Sequence, residues 1–203
     1  QGHGIMSRLM RAVRLEHYGN TDDLEYVELP RPVPKPDEVL VKLHYTSLNA
    51  ADLDYVHGHP LVRFTGLRKP AYPILGSDCV GEVVGQGDDV ERFALGQIVW
   101  ADLSLPLAYG TLAEYVTVPA SALQLLPSGV DPKEAACLPT AGIVALQNIR
   151  MKKPVRVGDK VLVNGAGGGI GTILVQLLRT QGAEITAIDK KEKHAMLRDS
   201  GAV

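Results

Sequence analysis

Val161-Leu162-Val163-Asn164-Gly165-Ala166-Gly167-Gly168-Gly169-Ile170-Gly171 is the stretch whose reading decides the fold. An apolar run enters a glycine-rich turn, and beyond it Ile170, Ile173, Leu174, Leu177 and Leu178 fall at i, i+3, i+4, i+7 and i+8, one face of a helix. Glu184–Ile188 reads as a second strand and ends in Asp189. Strand, glycine turn, helix and strand predict a βαβ unit with parallel strands. The spacing Ala166-x-Gly168-x-x-Gly171 is a variant of the GxGxxG fingerprint.

Each part has a physical use. Small residues let a backbone approach a pyrophosphate, and the free N–H groups at a helix start carry partial positive charge toward it. Ala166, Gly167, Gly168, Gly169, Ile170 and Gly171 are therefore candidate dinucleotide contacts. Asp189 could accept from a ribose 2′-hydroxyl and would repel a 2′-phosphate, which favours NADH over NADPH. Lys190, Lys191 and Lys193 stand against that: they could neutralise a 2′-phosphate, or be the solvated start of the next helix. The other reading of the turn is a glycine-rich loop in an α/β domain that binds nothing.

Upstream of this unit, Asp131-Pro132 reads as an N-cap followed by proline at the first helical position, and a further helix is predicted over Ala141–Ile149. Before Pro119 the texture is all-β, with short strands at Ala12–Glu16, Leu24–Leu29, Val39–Thr46, Cys79–Val84, Gln97–Trp100 and Leu112–Val118. In the third of these Val39, Val41, Leu43 and Tyr45 share one face by the two-residue period. Pro30–Pro36 holds four prolines and reads as a stiff extended connection. A boundary near residue 125 divides the chain into 11–125 and 126–203, with residues 1–10 a tag remnant and disordered start.

The 203 residues suffice for one or two domains. Lys+Arg of 21 against Asp+Glu of 23 gives a net charge of -2, too balanced for a phosphate-backbone partner, so nucleic acid is not expected. No run is long and apolar enough to span a membrane, and no membrane partner is expected. Two cysteines, Cys79 and Cys137, without CxxC spacing give neither a disulfide scaffold nor a zinc site, and a cytoplasmic location follows as the default expectation.

Four stretches carry a resemblance: Leu48-Asn49-Ala50-Ala51-Asp52, Gly76-Ser77-Asp78-Cys79-Val80-Gly81-Glu82-Val83-Val84, Phe93-Ala94-Leu95-Gly96-Gln97-Ile98-Val99 and Val157-Gly158-Asp159-Lys160-Val161-Leu162-Val163. In this order, over about residues 11–203, the chain resembles the medium-chain dehydrogenase/reductase superfamily. The resemblance implies an α/β protein: a GroES-like, β-rich barrel as catalytic domain, then a doubly wound Rossmann domain, with the active site in the cleft between them. Zinc-dependent members carry Cys and His where this chain has Asn49 and Ser77, poor zinc ligands by comparison. The chain is thus similar to the zinc-independent quinone oxidoreductase branch. That branch implies hydride transfer from NADH or NADPH to a small quinone or enone, with no zinc. Dimers are common in the superfamily, so a homo-oligomer is among the implied partners.

Without a metal, charge developing on a substrate oxygen must meet hydrogen-bond donors, and Asn49 and Tyr55 are the candidates. Asn49 could equally hold the turn ahead of a helix over Ala50–Val56, and the family's tyrosine position falls on Asp54 without gaps. Asp52 reads as a cap or anchor of that helix rather than an acid or base. His57 and His59 form an HxH without a visible third ligand, and Cys79 reads as a small core residue. The family threonine near the nicotinamide carboxamide is Val144 here, and Thr140 one turn earlier could substitute. Only two of about six Rossmann strands precede Val203, which reads as a fragment, a naturally short product or a truncated gene, with sheet edge and apolar surface left bare. The rivals to an oxidoreductase are a non-catalytic nucleotide-binding or interaction protein of the same fold and, less well matched, a zinc alcohol dehydrogenase.

Overall fold

Two strand systems form the N-terminal half. In the computed structural model, which describes residues 8–104, 110–150 and 154–203, β1 (Leu9–Leu15) and β2 (Leu24–Pro30) pair antiparallel on their own. β3 (Glu38–Tyr45), β4 (Asp78–Gln86), β5 (Ile98–Asp102), β6 (Tyr115–Pro119) and β7 (Gln124–Leu125) form an antiparallel sheet in the order β6-β3-β4-β5-β7. Of the expected tag remnant and disordered start, residues 1–7 lie outside the described residues, and Leu9 and Met10 belong to β1.

Alternation decides which side chains meet. Val39 stands opposite Val118 and Val41 opposite Val116, and all four are buried with Val83, Val99, Leu103 and Leu123 in one core. The predicted face does not run the full length of β3. The β3–β4 register shifts between Leu40 and Val41 and again between Leu43 and Tyr45, so Leu43 is half-buried and Tyr45 is turned out to solvent.

The expected barrel is likewise not closed among the described residues. Beyond its ladder with β2, β1 is joined to the rest of the unit by isolated bridges, Ala12 to Ala113 and Arg14 to Ile74. A ladder needs consecutive pairs, and beside Ile74 the chain carries Pro73, which has no N–H to give, and Gly76, bent to φ 96°.

The proline-rich connection has no regular secondary structure over residues 31–35 and turns at Pro36 and Asp37, and Arg31 at its start stacks its guanidinium 3.6 Å above the Tyr115 ring. At its end Glu38 is buried, accepting from the Lys35 backbone N–H and ammonium, each at 3.1 Å. Burial alone would push this carboxyl up, but the Lys35 donors, with the Thr117 hydroxyl, bring it below its ordinary value. A lowered folded value stabilises above about pH 4.3, where the unfolded carboxyl is also ionised, and that contribution is lost as pH falls through the folded value. Glu38→Gln should cost about 1 kcal/mol at neutral pH and flatten the acid limb of a stability-against-pH curve. An unchanged acid limb would remove Glu38 from the acid response.

Helices occupy the connections. α1 (Ala50–His57) starts at Asn49 and ends at Gly58, and α2 (Pro60–Arg63) opens with proline after His59. In α3 (Pro132–Ala135) the Asp131 carboxylate accepts the Lys133 N–H at 2.9 Å, the cap expected from Asp131-Pro132. Ala135 and Ala136 pack with Val80, Trp100 and Leu126. Residues 126–139 therefore belong with the sheet, and the two compact units divide after Pro139, while the strand texture itself ends near 125.

The second unit begins with α4 (Pro139–Arg150) and continues through β8 (Lys160–Asn164), α5 (Gly169–Thr180), β9 (Glu184–Ile188) and α6 (His194–Asp199). β8 and β9 are parallel, Val161 beside Ile185 and Val163 beside Ala187. Ile149, Val163, Val175, Leu178, Ile185 and Leu197 make its core. The predicted apolar face of α5 is rotated: Gly171, Val175 and Leu178 are buried, Leu174 and Leu177 flank them, and Ile170 is 41% exposed. Resting on two strands selects the stripe that fits their pleat over the one richest in carbon. The edge of β9 is met by Val203, which accepts from Ala187 and donates to Ile185 in the parallel pattern. Leu162 and Ile188 stay open on the far face of the strands.

Candidate dinucleotide and acceptor sites

The glycine turn is built from the end of β8. Gly165, at φ 73°, bends the chain where a side chain would be strained. The N–H groups of Gly165 and Ala166 both donate to the Ile188 carbonyl, at 2.9 and 3.2 Å, and Gly168 donates to Gly165 at 3.1 Å. Gly168 is the N-cap of α5. With no side chain there to satisfy the first N–H groups of the helix, they remain available to an anion. A Cβ on Gly169 would meet open space, whereas one on Gly171 would overlap the Gly165 carbonyl oxygen and lie 2.7 Å from the Ala166 backbone. Ala166 is fully buried in the core, so it packs the turn from beneath. This cradle, open at Gly169 and tight at Gly171, fits a dinucleotide pyrophosphate.

Asp189 is tied to the same turn. Its Oδ2 accepts the Gly167 N–H at 2.7 Å and its Oδ1 the Lys190 N–H at 2.7 Å. Lys193 donates to the Gly167 carbonyl at 2.9 Å and stands 3.6 Å from Oδ1. His194 Nε2 lies 3.0 Å from the Asp189 carbonyl. The Lys190 N–H first, then the Gly167 N–H, hold the Asp189 carboxyl below its ordinary value, with Lys193 adding to them. The Asp189 carboxylate thus faces the turn. Lys190 and Lys191 are exposed. Thr140 lies in the first turn of α4, and Val144 one turn on accepts from Asn148 Nδ2 at 2.8 Å.

In the N-terminal unit the structure brings Asn49 to Ser77 and to Asp78, a partner that sequence reasoning missed. Asn49 Nδ2 donates to Asp78 at 2.8 Å and lies 3.4 Å from the Ser77 hydroxyl, while the Ser47 hydroxyl makes a short bond to the same Asp78 oxygen. Asp78 is buried at the first position of β4. The signal was available: a lone carboxylate opening the apolar run Cys79-Val80 must find donors if buried. Asp52 accepts the Asn49 N–H at 2.7 Å, so it anchors the start of α1. Burial first, and nearby Asp78, push the Asp52 carboxyl up against that bond.

Tyr55 takes a packing position. Its ring lies edge-on to Tyr18 at 6.2 Å and its hydroxyl accepts the Tyr72 N–H at 2.9 Å, with burial pushing the phenol up. His57 and His59 are exposed, and among the described residues no three His, Cys, Asp or Glu side chains group together as a metal site.

Cys79 is fully buried, and burial, then Asp78, push its thiol up to about 12, while Cys137 is exposed. Native protein treated with iodoacetamide at pH 8 should therefore carry one label, on Cys137, and gain the second only on unfolding. Labelling of native Cys79 would contradict its core position.

Comparison with known proteins places these features in a family. Residues 35–128 match the alcohol dehydrogenase GroES-like domain. A chloroplast envelope quinone oxidoreductase homolog of Arabidopsis thaliana is 37% identical over 190 residues, covering 90% of this chain and 56% of the relative. The mitochondrial NAD(P)H oxidoreductase RTN4IP1 of Dictyostelium discoideum is 34% identical over 176 residues, covering 84% of this chain and 49% of the relative. Among solved structures, the quinone oxidoreductase from Coxiella burnetii matches with a TM-score of 0.87 at 30% identity, over 96% of this chain and 61% of that one. The chain spans about half the length of the curated relatives it matches.

Proposed function

We propose, for a chain that belongs to the medium-chain dehydrogenase/reductase superfamily, the role of an NAD(P)H-dependent oxidoreductase acting on a small quinone or activated alkene without zinc. The observation that carries this reading is the glycine turn: a side-chain-free N-cap at Gly168, open space over Gly169 and a close-packed Gly171. The dihydronicotinamide, when bound, supplies the hydride. The start of α5 would hold the pyrophosphate through N–H groups that the helix cannot satisfy itself. On the acceptor side, hydride addition to a conjugated carbon leaves negative charge on oxygen, which hydrogen-bond donors must meet. Asn49 keeps one amide proton on Asp78 and has only a long contact at 3.4 Å for the other, which can turn to that oxygen. The absence of zinc is inferred from donor chemistry, since a neutral amide and a hydroxyl stand where the family's metal-binding members carry thiolate and imidazole.

Fluorescence titration with NADH and NADPH, followed by an assay with o-quinones and enones, tests this. Saturable binding of either nucleotide and acceptor-dependent oxidation are expected; failure of both nucleotides to bind would overturn the reading. A second reading, a nucleotide-binding protein that does no chemistry, draws on one observation: Asn49 and Tyr55 are both already engaged in bonds within the fold. Binding without oxidation of any acceptor would favour it.

A further inference from the structure

We infer that Asp78 is a positioning residue, a buried carboxylate that holds the Asn49 amide one way round, with an N–H group and not its carbonyl turned to the acceptor oxygen. This rests on the acceptor site proposed above. Asn49 Nδ2 donates to Asp78 Oδ2 at 2.8 Å, and the Ser47 hydroxyl donates to the same oxygen. Asp78 is 1% exposed while Asn49 and Ser77 are half-buried, so the amide is within a ligand's reach and the carboxylate is not.

An asparagine side chain needs such a partner. Its oxygen and nitrogen ends are nearly the same size, so packing does not choose between them and hydrogen bonds do. Ser77, 3.4 Å from Nδ2, does not choose either, because a hydroxyl donates as readily as it accepts. Asp78 does choose. An ionised carboxylate only accepts, and turning the amide over would set two oxygens against each other with no proton between them. The capping box of α1 acts from the other end: it gives the Asn49 side chain the Asp52 N–H, while Asp52 accepts the Asn49 main-chain N–H at 2.7 Å. Asp78 acts through Asn49 for an electrostatic reason as well. Hydride addition leaves negative charge on the acceptor oxygen, which a carboxylate in direct contact would repel, and the amide keeps the two apart.

A double-mutant cycle on acceptor reduction reads this role. Asp78→Ala, Asn49→Ala and the double variant of the full chain are compared with wild type for kcat, acceptor KM and the affinity for NADH and NADPH. The acceptors are an o-quinone and an enone, and circular dichroism and the thermal midpoint check folding. Hydrogen exchange of the Asn49 side-chain amide protons is followed beside them by NMR. Asp78→Ala is expected to lower kcat about tenfold, to leave KM and nucleotide affinity within about twofold, and to speed exchange of the Asn49 side-chain protons. In Asn49→Ala protein the same change should lower kcat no further, because Asp78 works only through the amide. A residue that merely supports the fold would lower kcat as far without Asn49 as with it, and that additive result would overturn the inference. An Asp78→Ala variant with the kcat of wild type would overturn it too. Wild type that binds nucleotide yet reduces no acceptor removes the reaction itself, and the positioning role falls with it; this failure shows before any substitution is made. Should Asp78→Ala fail to fold with the Ser47 hydroxyl left unpaired, Asp78→Asn keeps the volume and one acceptor oxygen. It offers Asn49 either end of an amide, so the expected loss in kcat is about twofold to threefold, and again absent in Asn49→Ala protein. An equal loss in both backgrounds would count against the inference as the additive result does.

Discussion

Gly171→Val is expected to raise the dissociation constant for NADH and NADPH at least about tenfold and to lower the thermal midpoint of the second unit. A Cβ at this position overlaps the Gly165 carbonyl oxygen and lies 2.7 Å from the Ala166 backbone, so nothing flexible can yield. The obstructed segment is itself tied down by the donations of Gly165 and Ala166 to Ile188. Relief must therefore lift the turn off β9 or push α5 off the strands, at about 1–3 kcal/mol for overpacking, with two further valine methyls on top. Gly169→Ala is the matched control. Its added methyl meets no atom within 4 Å, and alanine at a helix position gains about 0.4–1 kcal/mol over glycine. The control should be as stable as wild type or slightly more so, yet bind nucleotide less tightly if a phosphate approaches the backbone there. Calorimetry and fluorescence titration of the two variants read both quantities. A Gly171→Val protein with the wild-type midpoint would refute the packing described for the turn.

The second large effect is expected at Leu178. This side chain is 1% exposed and fills the core among Val163, Val175, Ile185 and Leu197. Truncation to alanine removes the transfer energy of the lost atoms and leaves a cavity, about 2–5 kcal/mol together. A loss of that size is a large fraction of an ordinary domain's stability, so Leu178→Ala should sharply lower the hydrogen-exchange protection of β8, α5 and β9. Ile170→Ala, on the same helix but 41% exposed, should stay within about 0.5 kcal/mol of wild type. Equal effects at Leu178 and Ile170 would mean that the buried stripe of α5 is the one its hydrophobic spacing suggests.

That contrast marks how far the sequence could be read. The order of strand, glycine turn, helix and strand from Val161 to Asp189 was legible because each step lies within a few residues of the last. The Asp131 cap was legible for the same reason. The phase of α5 was not: Ile170, Ile173, Leu174, Leu177 and Leu178 satisfy a helical stripe, but so does Gly171, Val175 and Leu178, and only the strands beneath choose. Tyr45 misled in a similar way, since period two predicts its face only while the β3–β4 register holds. Asn49 was picked out together with Ser77 by the resemblance, and Asp78, quoted in the next motif, was not joined to them.

By itself the amino-acid sequence determined the class of the protein: a β-rich first part, a βαβ unit with a turn fit for a pyrophosphate, and neutral residues at Asn49 and Ser77 where metal-binding relatives carry ligands. The strand texture and the βαβ unit follow from period and spacing, which are local quantities, and the reading of Asn49 and Ser77 is what the resemblance to the superfamily implies. Tertiary structure alone decided that the barrel stays open among the described residues, that Asp189 and Lys193 bond Gly167 across 22 and 26 residues, and that Asn49 answers to Asp78 across 29. Such pairings form when burial leaves a polar group no water to turn to, and which donor then lies within reach is set by how the elements pack.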